Sequence, residues 1–265
     1  MIALDHLWIL AVALAVDALL GDPDGVWRRL PHPVTLVGRL IAFFDRALNR
    51  KHLPPLLLTI LGAVAVVLLV AVAAAVGYGL EYGFRLLPYG WIGQTAVAAI
   101  LLAGRSLYDH VAAVATAFDT GGLQDARDAV SRVVGRDPAS LDEPGVARAA
   151  IESAAENFSD GLVAPALWFA ALGLPGLLAY KAINTADSMI GHRTARHRHF
   201  GWAAARLDDL VNLPASRFAG ALLALAASLA GGAVGAAFGT MRREAPNHRS
   251  PNAGWPEAAM ASALG

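Results

Sequence analysis

Three carboxylates recur at a regular interval just before an apolar segment begins. Glu152, Glu156 and Asp160 are four residues apart, so a helix would place all three on one face. Like charges in this arrangement repel one another, and a bound cation or proton would relieve the repulsion. We therefore predict a metal-binding or general-base role for them, with Asn157 beside them to orient a substrate amide. The alternative is a solvated acidic face.

A second polar stretch follows that apolar segment. Lys181, Asn184, Asp187 and Ser188 are spaced three or four residues apart and are expected to line one helix face. An ammonium group suits a phosphate, and amide and carboxylate oxygens suit Mg²⁺. We predict a phosphate-and-magnesium site here. The alternative is a helix end with routine polar capping.

A third stretch carries the adjacent acids Asp208 and Asp209, followed by Asn212 and Arg217. Aspartate pairs hold Mg²⁺ bridged to a diphosphate in several enzyme classes, although so short a pattern also arises by chance. The histidines at 192, 197 and 199 alternate with arginines whose charge opposes a metal. That segment, which includes Arg193, is predicted to be a basic loop at the membrane surface rather than a zinc site.

Smaller polar groups lie near the two ends of the chain. Asp17 interrupts an apolar run, which by default indicates a functional residue. His32 follows that run and is assigned to the substrate-binding set. The segment 247–257 contains Asn252 and has donors suited to an anion. The sequence has no Walker-type loop and no Gly-x-Gly-x-x-Gly motif, so ATP would not bind through those folds.

The elements that must position these residues are apolar helices. Of 265 residues, 56% are hydrophobic and 16% charged, with 21 basic and 21 acidic side chains and no cysteine. This composition excludes disorder, disulfides and thiolate chemistry, and it disfavours both an ordinary soluble domain and a nucleic-acid binder. The 3.6-residue spacing predicts an all-α polytopic membrane protein with four to five membrane segments. The candidates are 7–20, 53–80, 89–104, 161–180 and 218–240.

The segment 161–180 allows two interpretations, because GLPG at 173–176 interrupts it. It is either one kinked span or a re-entrant hairpin. The positive-inside rule places the N-terminus outside and residues 28–51, 105–156 and 181–217 in the cytoplasm. Both flanks of 161–180 are then cytoplasmic, which favours the hairpin. The polar section 105–156 is predicted to form two helices, with an amphipathic stretch from Leu123 to Val134 and a new helix opening at Asp142-Glu143-Pro144.

Taken together, these segments resemble the CbiB/CobD family of cobalamin biosynthesis over nearly the whole chain. The matching segments are GDP (21–23), HPV (32–34), VGRD (134–137), AAIESAAENFSDGLVAP (149–165), GLPGLLAYKAINTADSMIGHR (173–193), FGWAAARLDDLVNLPASR (200–217) and HRSPNAGWPEAAMASALG (248–265). Members usually continue beyond the last segment, so the single membrane-embedded domain expected here, 1–265, is expected to lack the family's C-terminal end.

The resemblance implies a multi-pass protein of the cell membrane whose active site faces the cytoplasm. It implies ATP-dependent amide formation between a propionate carboxyl of adenosylcobyric acid and (R)-1-amino-2-propanol or its O-phosphate. The expected cofactors are Mg²⁺ and ATP as co-substrate. The expected partners are the corrinoid, the amine, membrane lipid and other corrinoid-pathway enzymes, but no nucleic acid.

Roles follow from residue type and position. Glu152, Glu156, Asp160 and Lys181 form the predicted catalytic set, and the predicted magnesium ligands are Asp187, Asp208 and Asp209. We assign phosphate binding to Lys181, Arg193 and Arg217. We assign the orientation of substrate amides to Asn157, Asn184, Asn212 and Asn252. Two rival classes are a membrane prenyl- or phosphotransferase that uses paired aspartates, and a non-enzymatic scaffold of a biosynthetic complex.

Overall fold

Every regular element that the structure, a computed structural model, assigns in residues 2–21, 24–132, 134 and 138–265 is helical. The α-helices are α1 (Ile2–Leu20), α2 (Asp24–Trp27), α3 (Pro33–Leu48), α4 (Pro55–Arg85), α5 (Trp91–Leu101), α6 (Gly104–Val130), α7 (Glu143–Asn157), α8 (Ala164–Ala186), α9 (Trp202–Ala226), α10 (Val234–Glu244) and α11 (Gly254–Leu264). Two π-helical turns, Phe158–Val163 and Asp187–Gly191, adjoin α8, and short 3₁₀ turns follow α9 and α10. The all-α prediction is confirmed.

Four helical stretches in the described residues are long and apolar enough to cross a membrane: Pro55–Arg85, Trp91–Val130, Glu143–Gly191 and Trp202–Ala230. The first contains most of the predicted span 53–80. The prediction of one span over 218–240 is wrong, because the helix ends at Ala230 and Gly231 turns the chain with a φ of 83°. The predicted span 89–104 is also interrupted, since α5 ends at Leu101 and α6 begins at Gly104.

The chain divides into two compact units. One comprises the residues up to Leu102 together with Pro165–Asn212, and the other comprises Ala103–Ala164 and Leu213–Gly265. In the first unit, α3 contributes the buried Ile41 to a core shared with α4, the second half of α8 and the start of α9. Helix α3 begins at His32, whose Nδ1 accepts a hydrogen bond from the backbone N–H of Val34.

Small residues on α4 allow backbones to approach closely. A Cβ on Gly62 would lie 1.9 Å from the carbonyl oxygen of Phe200, and a Cβ on Gly77 would lie 2.6 Å from that of Leu174. Helix association in membranes depends on such close packing, because lipid provides no hydrophobic driving force between helices. These glycines interrupt the apolar run in the sequence, and in the fold they are contact points.

The segment 161–180 reverses direction at Gly173, where φ is 68° and ψ is −152°. A Cβ on Gly176 would lie 2.4 Å from the carbonyl oxygen of Trp168. In a straight helix these two residues would be about 12 Å apart along the axis. The chain therefore forms a helical hairpin, with Leu174 and Pro175 starting its second arm. This reversal agrees with the hairpin interpretation rather than with one kinked span, and the re-entrant topology stays a prediction.

The second unit is built around two smaller cores. Helices α6 and α7 pack through Val114, Val130 and Val146, while the end of α9 packs on α10 and α11. Helix α6 breaks at Gly122, where φ is 72°, and resumes as the predicted amphipathic stretch from Leu123, although it ends at Val130. Helix α7 starts as predicted, with Asp142 as its N-cap accepting from the N–H of Gly145 at 2.9 Å.

Candidate functional site within the apolar helices

The hairpin's second arm and α9 carry a buried polar network in the first unit. The Asp208 carboxylate accepts from the Asn212 amide at 3.0 Å and from the Asn184 amide at 3.4 Å. The Tyr180 hydroxyl in turn donates to Asn212 Oδ1 at 3.0 Å. Asp208 is 8% exposed, while Asn212 and Tyr180 are each 1% exposed. The second and third polar stretches of the sequence thus converge on one carboxylate.

Asp187 adds a second acid to this network. It begins the π-helical turn after α8, is partly buried, and lies close enough to Asp208 for the two charges to interact. An isolated carboxylate among apolar helices is costly unless it is hydrogen-bonded or charge-compensated. Two acids held together in such surroundings favour the binding of a cation.

The two adjacent aspartates have different environments. The side chain of Asp209 is 32% exposed and pairs with Arg206 at 3.1 Å. Consecutive residues on a helix point about 100° apart. Asp208 and Asp209 therefore have different environments, and the prediction that both bind Mg²⁺ stays a prediction.

Lys181 and Arg193 lie at the edges of this region. Lys181 is partly buried and lines an apolar groove of about 350 Å³ between α3, α4, α5 and the hairpin. Arg193 is exposed in the turn that follows Gly191. His32 caps α3 and packs edge-on against Trp27, with ring centroids 4.6 Å apart, so its observed contacts are structural. The assigned roles of these three residues stay predictions.

The acidic stretch lies in the second unit. Glu152 and Glu156 are exposed on α7, but Asp160 lies in the π-helical turn Phe158–Val163. Backbone bonds in a π turn run from i to i+5, so the turn of the chain changes between Glu156 and Asp160. The prediction that the three carboxylates act together stays a prediction. Asn157 donates to the Ser153 carbonyl oxygen at 2.8 Å.

Arg217 and Asn252 come together in the second unit, 35 residues apart in the chain. Arg217 Nη1 donates to Asn252 Oδ1 and to Ser216 Oγ, each at 3.0 Å, and the guanidinium lies 4.8 Å from the centre of the Trp255 ring. Ser216 also donates to Asn252 Oδ1 at 3.1 Å. These contacts hold the guanidinium in a defined orientation, which is what bidentate binding of a carboxylate or a phosphate requires.

Sequence reasoning missed a buried acid at the hairpin tip. Glu81 of α4 accepts from the N–H of Leu174 at 3.0 Å and from Arg85 at 2.5 Å, and it contacts His6 at 3.3 Å. The carboxylate thus satisfies the first N–H group of the second arm. The signal in the sequence was an acid directly after the uncharged run 53–80, where a polar group near the membrane suggests a functional or structural site.

A magnesium ion fits the donor set in the first unit. In the ranges that the structure describes, no three Asp, Glu or His side chains cluster into a complete metal cage. Mg²⁺ usually takes one or two carboxylates and completes its shell with water and substrate phosphates. Asp187 and Asp208 meet that requirement.

Two of the segments that carry the family resemblance lie partly outside the described residues. These are the GDP segment, at Asp22 and Pro23, and the VGRD segment, at Gly135, Arg136 and Asp137.

The fold and this network define an all-α, multi-pass membrane protein with a polar site inside it. The family described as CobD/Cbib protein matches residues 10–265, and the chain belongs to that family. It is similar to a protein of Sinorhizobium sp, 54% identical over 97% of this chain and 81% of the relative. A protein of Rhizobium meliloti (strain 1021) is 53% identical over 98% and 80%, and one of Rhodobacter capsulatus is 51% identical over 97% and 79%. Each relative carries the name "Cobalamin biosynthesis protein CobD". No solved structure matches the chain.

Proposed function

We propose that this protein is an ATP-dependent ligase of cobalamin biosynthesis. It joins the amine of (R)-1-amino-2-propanol, or of its O-phosphate, to a propionate carboxyl of adenosylcobyric acid and gives adenosylcobinamide or its phosphate. Membership of the family over residues 10–265 is the observation that carries the proposal. The buried network around Asp208 supports it as a place where charged substrates can be held beside the membrane.

The chemistry requires activation, because a carboxylate is a poor acylating agent. A propionate oxygen attacks the terminal phosphorus of ATP, ADP leaves, and an acyl phosphate forms. The amine nitrogen then attacks the acyl carbon, the carbon–oxygen bond breaks, phosphate leaves, and a base takes the excess proton from nitrogen. Cations must hold the phosphates throughout.

The chain offers residues for each of these tasks. Lys181, Arg193 and Arg217 bind phosphate oxygens in the proposal, and the fixed orientation of Arg217 supports its part. The carboxylates Glu152, Glu156 and Asp160 accept the amine proton. The amides of Asn157, Asn184, Asn212 and Asn252 orient the amide-rich rim of the corrin. His32 remains in the substrate-binding set as a proposal.

Asp187 and Asp208 would hold Mg²⁺, with Asp209 as a further ligand, and the ion would supply charge neutralisation for the nucleotide phosphates. The proposed location is the cell membrane, with the site facing the cytoplasm. The proposed partners are membrane lipid and other corrinoid-pathway enzymes.

The test is turnover by the purified protein. With ATP, Mg²⁺, adenosylcobyric acid and either amine, we expect ATP-dependent amide formation. Chromatography of the corrinoid would measure the product. Asp160→Asn and Lys181→Ala should each lower the rate at least about a hundredfold while the fold is kept, as for other removed catalytic groups. Wild-type rates in both variants would remove these residues from the site. No product with either amine would remove the ligase assignment.

A further inference from the structure

The magnesium site proposed for the first unit depends on where two carboxylates point. Asp187 lies in the π-helical turn after α8, and Asp208 lies on α9. Mg²⁺ requires a nearly ideal arrangement of its ligands, so a carboxylate binds it well only when neighbouring groups fix the orientation of that carboxylate. Residues that fix these two acids therefore influence the affinity of the site without touching the ion.

Asp208 is held through both of its carboxylate oxygens. Oδ2 accepts from the Asn212 amide at 3.0 Å, and Oδ1 accepts from the Asn184 amide at 3.4 Å. An amide carries donors on one side and an acceptor on the other, so an amide that turned over would present its oxygen to the carboxylate and repel it. The position of Asp208 thus depends on what keeps these amides in their orientation.

Tyr180 supplies that constraint for Asn212. Its hydroxyl donates to Asn212 Oδ1 at 3.0 Å, and the Asn212 NH₂ group then faces Asp208. Tyr180 and Asn212 are each 1% exposed, so solvent has little access to replace this bond. A hydrogen bond to the carbonyl oxygen also polarises the amide and strengthens its N–H donors. Tyr180 therefore acts on Asp208 through Asn212.

Gly191 determines the position of Asp187 through its lack of a side chain. A Cβ on Gly191 would lie 1.9 Å from Asp187 Oδ1 and 2.8 Å from Asp187 Cγ. The carboxylate thus occupies the space that the side chain of any other residue at position 191 would fill. Because the φ of Gly191 is not positive, an alanine there needs no strained backbone and displaces the end of the Asp187 side chain instead.

We propose that Tyr180 and Gly191 are positioning residues of the magnesium site, Tyr180 for Asp208 and Gly191 for Asp187. The inference rests on the proposed function for the identity of the ion, and it extends that function to two residues that do not touch the reacting atoms. Replacing a residue that orients a metal ligand typically lowers metal affinity about 10- to 100-fold. We expect an effect of this size on the affinity for the ion.

Cation binding can be measured without turnover. Electron paramagnetic resonance would follow free Mn²⁺, used alone as the probe, in titrations of the purified full chain, Tyr180→Phe and Gly191→Ala. The matched controls are Tyr108→Phe, which is exposed on α6, and Gly235→Ala on α10, whose Cβ would meet no atom within 4 Å. We expect each positioning variant to raise the Kd for Mn²⁺ about tenfold or more, and each control to leave it within about twofold.

A double variant separates positioning from packing. If Tyr180 acts through Asn212, Tyr180→Phe should not change the Kd further in an Asn212→Ala protein, whereas an independent packing defect would add to it. The proposal is wrong if the wild-type chain binds no Mn²⁺, or if folded positioning variants bind it as their controls do. If Tyr180→Phe retains its full effect without the Asn212 amide, or does not fold, the role of Tyr180 is structural, and Gly191→Ala still tests the position of Asp187.

These outcomes are separable from failure of the ligase assignment. A chain that forms no amide but shows the expected changes in Mn²⁺ affinity would keep the positioning roles and lose the reaction. Normal amide formation by the wild-type chain, with unchanged Mn²⁺ affinity in both positioning variants, would keep the reaction and remove the positioning roles.

Discussion

At the scale of single residues, burial separates groups that look alike in the sequence. Asp208 receives two amide donors and is 8% exposed, whereas Asp209 pairs with Arg206 and its side chain is 32% exposed. A charge that is held by fixed dipoles away from water interacts strongly with a ligand, while a solvated one is screened. The proposed cation site therefore depends more on Asp208 than on Asp209.

Replacing Asp208 by Asn should abolish most of the activity. The new amide would have to accept from two amide donors with a single carbonyl oxygen, and it would present its own NH₂ to one of them. We expect a loss of at least about a hundredfold in kcat, as for removal of one preorganised electrostatic group, together with a lower melting temperature. The exposed Asp119→Asn on α6 is the matched control. Near-normal kcat in a folded Asp208→Asn protein would contradict the assignment.

Asp45 predicts a pH dependence of stability. Burial of its carboxyl raises the pKa, but hydrogen bonds from Asn49 and Arg196 and the charges of Arg196 and His197 outweigh that effect, so the pKa lies below its ordinary value of 3.8. A depressed pKa in the folded state contributes stability above the unfolded value, and this contribution is lost as pH falls through the folded value.

Asp45→Asn should thus lower stability at pH 7 by about 0.5–1 kcal/mol, a small effect because Arg196 is 44% exposed. The difference between the two proteins should shrink as the pH falls below 3.8, which thermal melts in detergent between pH 7 and 3 would follow. Asp109→Asn, which breaks an exposed pair, is the comparison. A difference that stays constant over this range would contradict the linkage.

At the scale of elements, the hairpin determines where the polar residues lie. Its tip is held by Glu81 against Gly77 of α4, and its first arm by the Trp168 indole, which donates to the Val211 carbonyl at 3.2 Å. Tyr180 and Asn184 on the second arm then meet Asn212 and Asp208 on α9. Tyr180 and Asn184 reach α9 because the chain reverses direction at Gly173.

Gly173→Ala should disrupt the hairpin tip. An alanine at φ 68° and ψ −152° occupies a backbone region that is nearly restricted to glycine, and its Cβ would lie 2.2 Å from Glu81 Oε2. We expect a loss of about 2–4 kcal/mol or failure to fold, since strain alone costs about 1–3 kcal/mol. Gly79→Ala on α4, whose Cβ would meet no atom within 4 Å, should leave the melting temperature within about 2 °C. Equal melting curves for the two variants would contradict the hairpin geometry.

At the scale of the whole molecule, the distribution of charge predicts the orientation of the helices in the membrane. Asn49 and Arg196 are joined by a hydrogen bond of 3.2 Å, which brings the basic segments around 46–51 and 193–198 to the same end of the first unit. Helix α4 runs 31 residues from Pro55 to Arg85, about 46 Å, so Leu87 lies at the opposite end. From the positive-inside rule we predict that the basic end is cytoplasmic.

Cysteine labelling can test this orientation cleanly, because the chain has no cysteine of its own. We expect Leu87→Cys to react with a membrane-impermeant maleimide in intact cells and Lys51→Cys to react only after permeabilisation. Both positions are exposed in the fold. The opposite pattern would place the basic end outside, and reaction of both in intact cells would show that α4 does not separate two compartments.

The sequence by itself determined the helical class, the apolar run of α4, the start of α7 and the break at Gly173. Each of these depends on contacts between residues close in the chain, such as a proline at a helix start or an acid in a cap. The same local patterns identified Asp208, Asn212 and Arg217 as candidates.

Only the tertiary structure decided which of those candidates meet. Glu81 and Leu174 are 93 residues apart, and Asn184 and Asp208 are 24 apart, so their bonds depend on packing that no local spacing encodes. Hydropathy and periodicity record residue type along the chain, whereas burial, helix breaks and hydrogen-bond partners are fixed by neighbours in space.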